Sequence, residues 1–211
     1  MFIPNMSDKT SEFPLLPVME TFHTLQGEGA HTGRSAWFIR LCGCDVGCVW
    51  CDVKESWDAG QHPQRSVEEL TQEVIASGVG FVVVTGGEPA TYDLTALTRS
   101  LHNAGCEIAL ETSGAYAIQG EFDWICVSPK KFKNVLPQAV QMADELKVVV
   151  FHPSDLEWAE QHASMVKPTC LTFLQPEYSR LDQHAPMIVD YIKTNPRWRL
   201  SLQTHKVINI P

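Results

Sequence analysis

The chain has 211 residues, of which 44% are hydrophobic and 19% are charged, and its formal net charge at pH 7 is −9. This composition excludes a disordered chain and leaves room for one sizeable core or at most two small ones. An acidic chain with no run of four or more basic residues is unsuited to holding a phosphate backbone. We therefore expect a small-molecule ligand and no direct contact with nucleic acid.

The amino-terminal segment has neither the basic start nor the apolar middle of a signal peptide. Its three prolines and two acidic residues predict a flexible tail over residues 1–17, followed by a single domain over residues 18–211. The longest apolar runs, such as Phe81–Val84, are only strand-sized, so no membrane span is expected. Without an export signal, we predict a cytoplasmic protein.

Apolar, β-branched segments recur along the chain and predict strands. Most are continuous apolar runs rather than strict alternations, which is typical of strands buried on both faces of a parallel sheet. The predicted strands are Ala36–Leu41, Phe81–Thr85, Glu107–Leu110, Trp124–Val127, Leu146–Phe151, Leu171–Leu174 and Arg197–Leu202.

Helical patterns lie between several of these strands. Ser66 and Glu69 have the spacing of a capping box at the start of one helix, and Asp93 is placed to cap another. Further helices are expected over Asp155–His162 and Met187–Thr194. Alternating strands and helices predict right-handed βαβ units, that is, an α/β fold around a parallel sheet with its active site at the carboxyl ends of the strands.

Four of the seven cysteines fall within ten residues, and three of them, Cys44, Cys48 and Cys51, have the spacing C-x₃-C-x₂-C. In a reducing compartment, clustered cysteines are metal ligands more often than disulfide partners. Three thiolates on one loop suit a 4Fe–4S cluster whose fourth iron is left free to bind a cofactor. The alternative is a structural zinc site, which needs a fourth ligand such as Cys42 or a distant histidine.

The cysteine motif resembles the signature of the radical S-adenosylmethionine superfamily. The resemblance implies that the cluster gives one electron to the bound sulfonium, which splits into methionine and a 5′-deoxyadenosyl radical. Two further segments agree with it: Thr85-Gly86-Gly87-Glu88-Pro89 follows one predicted strand, and Glu111-Thr112-Ser113-Gly114 follows the next. By resemblance, the first binds the methionine part of the cofactor and the second binds its ribose.

More specific segments are similar to the 7-carboxy-7-deazaguanine synthase family, and the similarity covers about Met19–Pro211. These segments are Thr24–Gly29, Arg40, Cys51–Trp57, Ser128–Lys130, Gln175–Glu177 and Gln203–Pro211. The family converts 6-carboxy-5,6,7,8-tetrahydropterin to 7-carboxy-7-deazaguanine with loss of ammonia, a step of queuosine biosynthesis. The resemblance implies a homodimeric radical lyase that takes electrons from a donor such as flavodoxin or ferredoxin. It also implies an incomplete, open parallel βα barrel of the radical SAM type, reduced in helices.

The resemblance also implies the residues of the site, each carried over to the matching position in this chain. For the cofactor they are Trp50, Cys51, Asp52, Gly87, Glu111, Ser128, Pro129, Lys130, Gln175 and Pro176, and for the substrate they are Leu25, Gln26, Gly27, Glu28, Arg40, Thr85, His205 and Pro211. The residue types suit a carboxypterin: Arg40 matches its carboxylate, and the terminal carboxylate of Pro211 matches its aminopyrimidinone edge if the tail folds inward. Taken singly, these residues have plain structural alternatives, such as a strand-ending turn or a frayed terminus.

One position departs from the family's pattern. Much of the family has Thr or Ser after the Cys-Asp pair, where it binds Mg²⁺ with the substrate carboxylate, but this chain has Val53. A valine side chain offers no oxygen, and Mg²⁺ requires oxygen ligands. We therefore expect Mg²⁺ to be absent or nonessential, with Lys54 neutralising the carboxylate instead.

Two other functions fit parts of the sequence. The first is a radical activase that installs a glycyl radical on a partner protein; such chains share the cluster spacing but lack counterparts of Gln26–Gly29 and Thr204–Pro211. The second is a zinc-stapled binding module, which would use the cysteines without redox chemistry. The remaining cysteines have no assigned role and are expected to be buried thiols: Cys42, Cys106, Cys126 and Cys170.

Overall fold

The structure, a computed structural model, describes residues 14–211. Most of the predicted tail therefore lies outside the described residues. Its last residues do not belong to a tail, because the first strand, β1, spans Leu15–Leu25 and pairs at Leu15–Pro17 with a short strand β3 at Gln64–Ser66. Leu15–Pro17 are thus part of the sheet, while the single domain over residues 18–211 stays a prediction. The sequence pattern missed β1 because this strand mixes polar with apolar residues and is only half buried.

The strands form one sheet in the order β3-β1-β2-β4-β5-β6-β7-β8-β9. From β2 onward every neighbouring pair is parallel, whereas β1 runs antiparallel to both β2 and β3. Within residues 14–211, β3 and β9 are the edges of the sheet, which does not close. This confirms the predicted open α/β barrel. The parallel strands are Ser35–Leu41 (β2), Phe81–Gly86 (β4), Glu107–Thr112 (β5), Trp124–Val127 (β6), Glu145–Val150 (β7), Leu171–Pro176 (β8) and Trp198–Leu200 (β9).

In the described part of the chain, α-helices lie in five of the six connections between parallel strands, and another follows the last strand. No α-helix lies between β5 and β6, which agrees with a barrel reduced in helices. The α-helices are Val67–Ser77 (α1), Thr95–Asn103 (α2), Pro137–Met142 (α3), Asp155–Ala163 (α4), Leu181–Thr194 (α5) and Thr204–Ile208 (α6).

Side-chain hydrogen bonds support the predicted starts of α1 and α2, and α4 begins at Asp155 as predicted. The start predicted for α5 at Met187 is wrong, because this helix begins at Leu181 and includes Pro186, a residue that in sequence indicates a helix boundary. At α1, the Glu69 amide donates to Ser66 Oγ (3.2 Å) and the Ser66 amide donates to Glu69 Oε2 (2.9 Å), which completes the capping box. At α2, the Thr95 amide donates to Asp93 Oδ1 at 2.9 Å. These caps satisfy amides that the first turn of a helix leaves without a partner.

The two faces of the sheet have different characters. Leu, Ile and Val side chains of β2, β4 and β5 pack under α1 and α2, and a second apolar cluster joins β7 and β8 to α4, α5 and Trp198. Alternate residues of the same strands point the other way, into the barrel. There they include Arg40, Glu111, Lys147 and Gln175, so the inner face is polar towards the carboxyl ends of the strands.

Candidate active site

A cavity of about 430 Å³ opens at the carboxyl ends of the parallel strands. Its wall contains every predicted site residue except Pro129 and Pro176, which lie beside wall residues in the chain. The predicted residues on the wall are Leu25, Gln26, Gly27, Glu28, Arg40, Cys44, Cys48, Trp50, Cys51, Asp52, Thr85, Gly87, Glu111, Ser128, Lys130, Gln175, His205 and Pro211. The structure thus brings these residues together, while their individual roles stay predictions.

The cysteine loop follows β2 and is held at its base by backbone hydrogen bonds. The Gly43 amide donates to the Ser56 carbonyl (2.7 Å) and the Cys44 amide donates to the Trp57 carbonyl (3.1 Å). The loop therefore leaves and returns at one place, at the mouth of the barrel. Its cysteines Cys44, Cys48 and Cys51 are free thiols that line the cavity.

The donor set of this loop fits an iron–sulfur cluster, because three thiols on one cavity wall are what thiolate ligation of a cubane requires. Burial raises the pKa of the Cys48 thiol to about 11, and the nearby Lys130 ammonium opposes that shift. Over residues 14–211, no group of three or more His, Cys, Asp or Glu side chains is arranged to hold a metal ion, and this includes the three cysteines of the loop, so their role as ligands stays a prediction. Of the cysteines without a role, Cys42, Cys106 and Cys126 are buried as expected, whereas Cys170 is only partly buried.

The end of β4 lies directly against the base of the cysteine loop. The Gly87 amide donates to the Leu41 carbonyl at 2.9 Å, and Gly86 has a φ of +120°. A Cβ on Gly86 would stand 2.0 Å from the Leu41 carbonyl oxygen, and a Cβ on Gly87 would stand 2.4 Å from that of Gly43. Only glycines allow this close approach of two backbones. These glycines are therefore needed for contact with the backbone of the cysteine loop, whether or not they also contact the predicted cofactor.

Glu88 links the ends of β4 and β5. Its buried carboxylate accepts hydrogen bonds from Thr112 Oγ1 (2.5 Å), from the Ser113 amide (2.8 Å) and from Ser113 Oγ. A buried carboxylate is tolerated where donors satisfy its oxygens. Glu88 therefore holds the predicted methionine-binding and ribose-binding segments at a set distance from each other.

An ion-pair network crosses the floor of the cavity. Lys147 Nζ lies 2.7 Å from Glu28 Oε2 and 3.0 Å from Glu111 Oε2. Burial alone would raise the pKa of Glu28, but the Lys147 ammonium and hydrogen bonds from Lys147, Gln175 and Gln203 outweigh it and lower the pKa to about 2. Glu28 is thus ionised in the folded protein at neutral pH.

Arg40 lines the cavity but already has a partner. Its Nε lies 2.8 Å from Glu20 Oε1, and its guanidinium carbon lies 5.5 Å from the centre of the Phe22 ring. Glu20 is about half exposed, so this pair is open to water and weak. A ligand carboxylate at Arg40 would therefore compete with an exposed ion pair.

The carboxyl-terminal segment folds inward over the cavity, as the predicted role of Pro211 requires. The Thr204 amide donates to the Gly27 carbonyl (2.9 Å), and Thr24 Oγ1 donates to the Pro211 carbonyl oxygen (3.0 Å). His205 packs against Gly27 so closely that a Cβ there would stand 2.2 Å from His205 Nδ1.

Two side chains tie this carboxyl-terminal segment to the rest of the site. Gln203 Nε2 donates to Glu28 Oε1 (3.0 Å) and to Asp52 Oδ2 (3.2 Å), and Lys206 Nζ donates to Asp52 Oδ2 (2.5 Å). Asp52 directly follows the last cysteine of the loop. The segment therefore bridges the cysteine loop and the loop after β1.

Lys130 and Trp50 lie together on the wall. Lys130 Nζ donates to the Ser128 carbonyl (2.6 Å) and to Ser128 Oγ (2.5 Å), and it lies 5.6 Å from the centre of the Trp50 ring. Burial lowers the pKa of Lys130. This arrangement places an aromatic face and a cation beside the cysteine loop, where the adenine and ribose of the predicted cofactor would lie.

The sequence interpretation missed Lys147 and Gln203, and it misplaced Lys54. A lysine inside the apolar run Leu146–Phe151 was a usable signal, because a strand buried on both faces rarely contains an unpaired charge. Gln203 carried no such signal. Lys54 is exposed and is not among the residues of the cavity wall, although its Nζ lies 6.0 Å from the ring centre of the wall residue Trp57, so no contact in the structure supports its expected role towards a ligand carboxylate. Arg40 and Lys206 are the cations near that position on the wall.

An open parallel barrel with a three-cysteine loop at its mouth defines a radical S-adenosylmethionine enzyme, and residues 38–123 match the family model described as "Radical SAM superfamily". The match covers the cysteine loop and the ends of β4 and β5. Members of that superfamily use a 4Fe–4S cluster and S-adenosylmethionine.

Whole-chain relatives are more specific. The 7-carboxy-7-deazaguanine synthase of Flavobacterium psychrophilum is 49% identical over 93% of both chains, and that of Synechocystis sp. is 48% identical over 92% of this chain and 93% of its own. The crystal structure of QueE from Escherichia coli superposes with a TM-score of 0.83, at 34% identity over 90% of this chain and 95% of that one. The chain belongs to the 7-carboxy-7-deazaguanine synthase family.

These comparisons decide between the functions that the sequence left open. The relatives are synthases, so a glycyl-radical activase is not favoured, and a zinc-stapled binding module does not fit a radical SAM enzyme. A search of residues 14–211 finds no helix that is both long and apolar enough to cross a membrane.

Proposed function

We propose that this chain converts 6-carboxy-5,6,7,8-tetrahydropterin to 7-carboxy-7-deazaguanine with release of ammonia, as a lyase of 7-deazaguanine and queuosine biosynthesis. The observation that supports this best is the cavity itself. It joins the cysteine loop, the strand ends expected to bind S-adenosylmethionine and the inward-folded carboxyl terminus expected to bind a pterin. An activase would need an open mouth for a partner protein, whereas the carboxyl-terminal segment covers this one.

Cys44, Cys48 and Cys51 would hold the cluster, and Trp50, Gly87, Glu111, Ser128, Lys130 and Gln175 would surround the cofactor. When bound, the cluster supplies the electron that splits S-adenosylmethionine, and the cleavage supplies a radical that takes a hydrogen atom from the substrate. The protein must keep water and oxygen away from this chemistry. The bridge from Gln203 and Lys206 to Asp52 spans the side of the cavity next to the cysteine loop.

The substrate would lie between Arg40 and the carboxyl terminus. Arg40 pairs with the pterin carboxylate, because a guanidinium is matched to carboxylate geometry and its present partner Glu20 is exposed. The terminal carboxylate of Pro211 accepts hydrogen bonds from the aminopyrimidinone edge. Further polar contacts would come from Gln26, Glu28, Thr85 and His205, with backbone from Leu25 and Gly27.

We also propose that turnover does not need Mg²⁺. Val53 lines the cavity at the position where much of the family offers a hydroxyl, and it has no side-chain oxygen for the ion. Turnover in buffer freed of Mg²⁺ should stay within about twofold of turnover with the ion added, since no ligand is lost. A drop of about tenfold that Mg²⁺ restores would refute this proposal.

The electron would come from a small redox protein such as flavodoxin or ferredoxin. Val49, inside the cysteine loop, is 65% exposed, and Phe132, packed near Trp50, is 44% exposed, so the loop is open to a docking partner. We further propose that the chain is a homodimer in a reducing cytoplasmic compartment. Light scattering on the purified protein tests the dimer directly.

The test of the function is anaerobic reconstitution followed by turnover. We expect about four irons and four sulfides per chain, and a deazaguanine acid as product when S-adenosylmethionine, carboxypterin and reductant are supplied. Cys48→Ala should lose both the cluster and the formation of 5′-deoxyadenosine, whereas Cys170→Ala, outside the cavity, should keep them. A colourless native protein with one zinc, or a brown one with no turnover of carboxypterin, would contradict the proposal.

A further inference from the structure

Lys147 has no role in the function proposed above, yet it occupies the centre of the site. It belongs to β7, where Leu146 and Val148 on either side point into the helix-covered core. Its own side chain points into the barrel and is only 4% exposed. Burying an ammonium is unfavourable unless it is paired and hydrogen-bonded. The buried Lys147 ammonium therefore depends on the carboxylates that pair with it.

Those partners belong to two different predicted binding sites. Glu28, in the loop after β1, is expected to face the substrate, and Glu111, at the end of β5, is expected to face the cofactor ribose. Lys147 Nζ contacts Glu28 Oε2 at 2.7 Å and Glu111 Oε2 at 3.0 Å. The Lys147 ammonium thus forms an ion pair with one carboxylate from each predicted site.

A second connection runs parallel to this one. Gln26 Nε2 donates to Glu111 Oε1 (3.2 Å), and the Glu28 amide donates to Gln26 Oε1 (3.2 Å). Movement of Glu28 is therefore transmitted to Glu111 through both Lys147 and Gln26. Hydrogen-bonded groups in such a network respond together, because each bond polarises and orients the next.

The neighbouring carboxyl group does not replace either partner. Glu145, two residues earlier on the same face of β7, accepts from the Ala30 amide (3.0 Å) and from Trp124 Nε1 (3.3 Å). Burial raises the pKa of Glu145, which the Lys147 charge opposes. The side chains that Lys147 contacts directly remain Glu28 and Glu111.

We propose that Lys147 is a positioning residue that couples substrate binding to cofactor binding by holding Glu28 and Glu111 on one ammonium. The inference rests on the proposed function for the assignment of the two carboxylates. When one ligand fixes its carboxylate, Lys147 is fixed with it, and the other carboxylate is already oriented for the second ligand. By linkage, the effect must be the same in both directions.

The experiment measures affinities across the two sites in the reconstituted protein without reductant, so that no turnover occurs. Glu28→Gln should change the Kd for S-adenosylmethionine, and Glu111→Gln should change the Kd for carboxypterin, each by at least about fivefold. In a Lys147→Met background, both cross-effects should fall below about twofold, because the shared ammonium is gone. The route through Gln26 remains, but its two hydrogen bonds are long (3.2 Å each) and weaker than the charge-assisted contacts of Lys147. A contact that only stabilises the fold would not produce this pattern.

The matched control is Lys167→Met. Lys167 Nζ lies 2.6 Å from Asp144 Oδ1, and neither residue is on the cavity wall, so this variant should change neither Kd. If Lys147→Met does not fold, the two glutamine variants still decide, since unchanged cross-affinities in them overturn the coupling. Turnover by the native protein distinguishes a failure of the proposed function from a failure of the coupling through Lys147. Its absence would overturn the proposed function and the coupling with it, whereas turnover without cross-effects would overturn the coupling alone.

Discussion

At the scale of single residues, the site depends on charges that are buried only because each has a partner. Glu28 is the clearest case: its pKa falls to about 2 because Lys147, Gln175 and Gln203 favour its ionised form against the opposing effect of burial. Relative to the usual value of 4.5, this means that the folded state holds the carboxylate more tightly ionised than the unfolded state does. Glu28 therefore contributes to stability as well as to the site.

This difference predicts how stability falls in acid. A carboxyl group with a depressed pKa in the folded state contributes stability fully above its unfolded pKa near 4.5, and loses it as the pH falls towards 2. The contribution lost is on the order of 3 kcal/mol. Glu28→Gln should therefore lower the free energy of unfolding at pH 7 and flatten its decline between about pH 5 and pH 2. Urea titrations across this range measure it.

Glu157→Gln, on the exposed surface of α4, is the control and should leave the acid decline unchanged. If Glu28→Gln shows the same decline as the native protein, Glu28 is not stabilised by its network in the way the contacts indicate.

The residue scale also shows what a sequence can predict about a site. Cys44, Cys48 and Cys51 could be proposed as cluster ligands from the sequence, because their spacing is short and lies on one loop. Lys147 was not assigned, because its two partners lie 119 and 36 positions away in the chain, and no local pattern names them. Lys54 was expected near the ligand because it is close in sequence to the cysteine loop, but closeness in sequence does not determine the direction of a side chain.

At the scale of elements, caps and strand ends decide where the chain turns. The capping box of α1 was predicted from Ser66 and Glu69 and has both of its reciprocal hydrogen bonds. The strand β1 was missed because one of its faces is open and its residues are mixed, so neither a continuous nor an alternating apolar pattern marks it.

The capping box makes a prediction about stability. Ser66→Ala removes the oxygen that accepts from the Glu69 amide and should lower the free energy of unfolding by about 1 kcal/mol. Ser164→Ala, at the carboxyl end of α4, should cost less than about 0.5 kcal/mol, because its hydroxyl only donates to the Gln161 carbonyl. Chemical denaturation measures the free energy of unfolding of both variants. Equal losses in the two variants would show that the Ser66 cap contributes no stability of its own.

At the scale of the whole molecule, one sheet joins two large apolar cores, and a smaller cluster around Ile125 and Val127 of β6 lies between them. One core lies between α1, α2 and strands β1, β2, β4 and β5, and the other lies between α4, α5 and strands β7, β8 and β9. The join passes through β6 and β7, whose ladder has only two residue pairs. Asp144 strengthens it, since its amide donates to the Ile125 carbonyl and its carboxylate accepts from the Ile125 amide, both at 2.9 Å.

A continuous sheet predicts that both cores unfold together, as a single domain over residues 18–211 would. In urea, the hydrogen exchange of amides in β4 and in β8 should follow one transition with the same midpoint, and it should coincide with the loss of circular dichroism. Two separated midpoints would show that the short ladder between β6 and β7 divides the chain into two domains.

The sequence by itself determined the features that are local in the chain: the cysteine spacing, the glycine turn after β4, the helix caps and the alternation of buried strands with helices. It also predicted that the motif residues meet at the carboxyl ends of the parallel strands, where they line one cavity. Only the tertiary structure decided which charges meet, how the carboxyl terminus closes the cavity and that Gln203 reaches Glu28 across 175 positions of the chain. Local propensity acts between near neighbours in sequence, whereas the partner of a buried charge is set by the packing of elements that are distant in the chain.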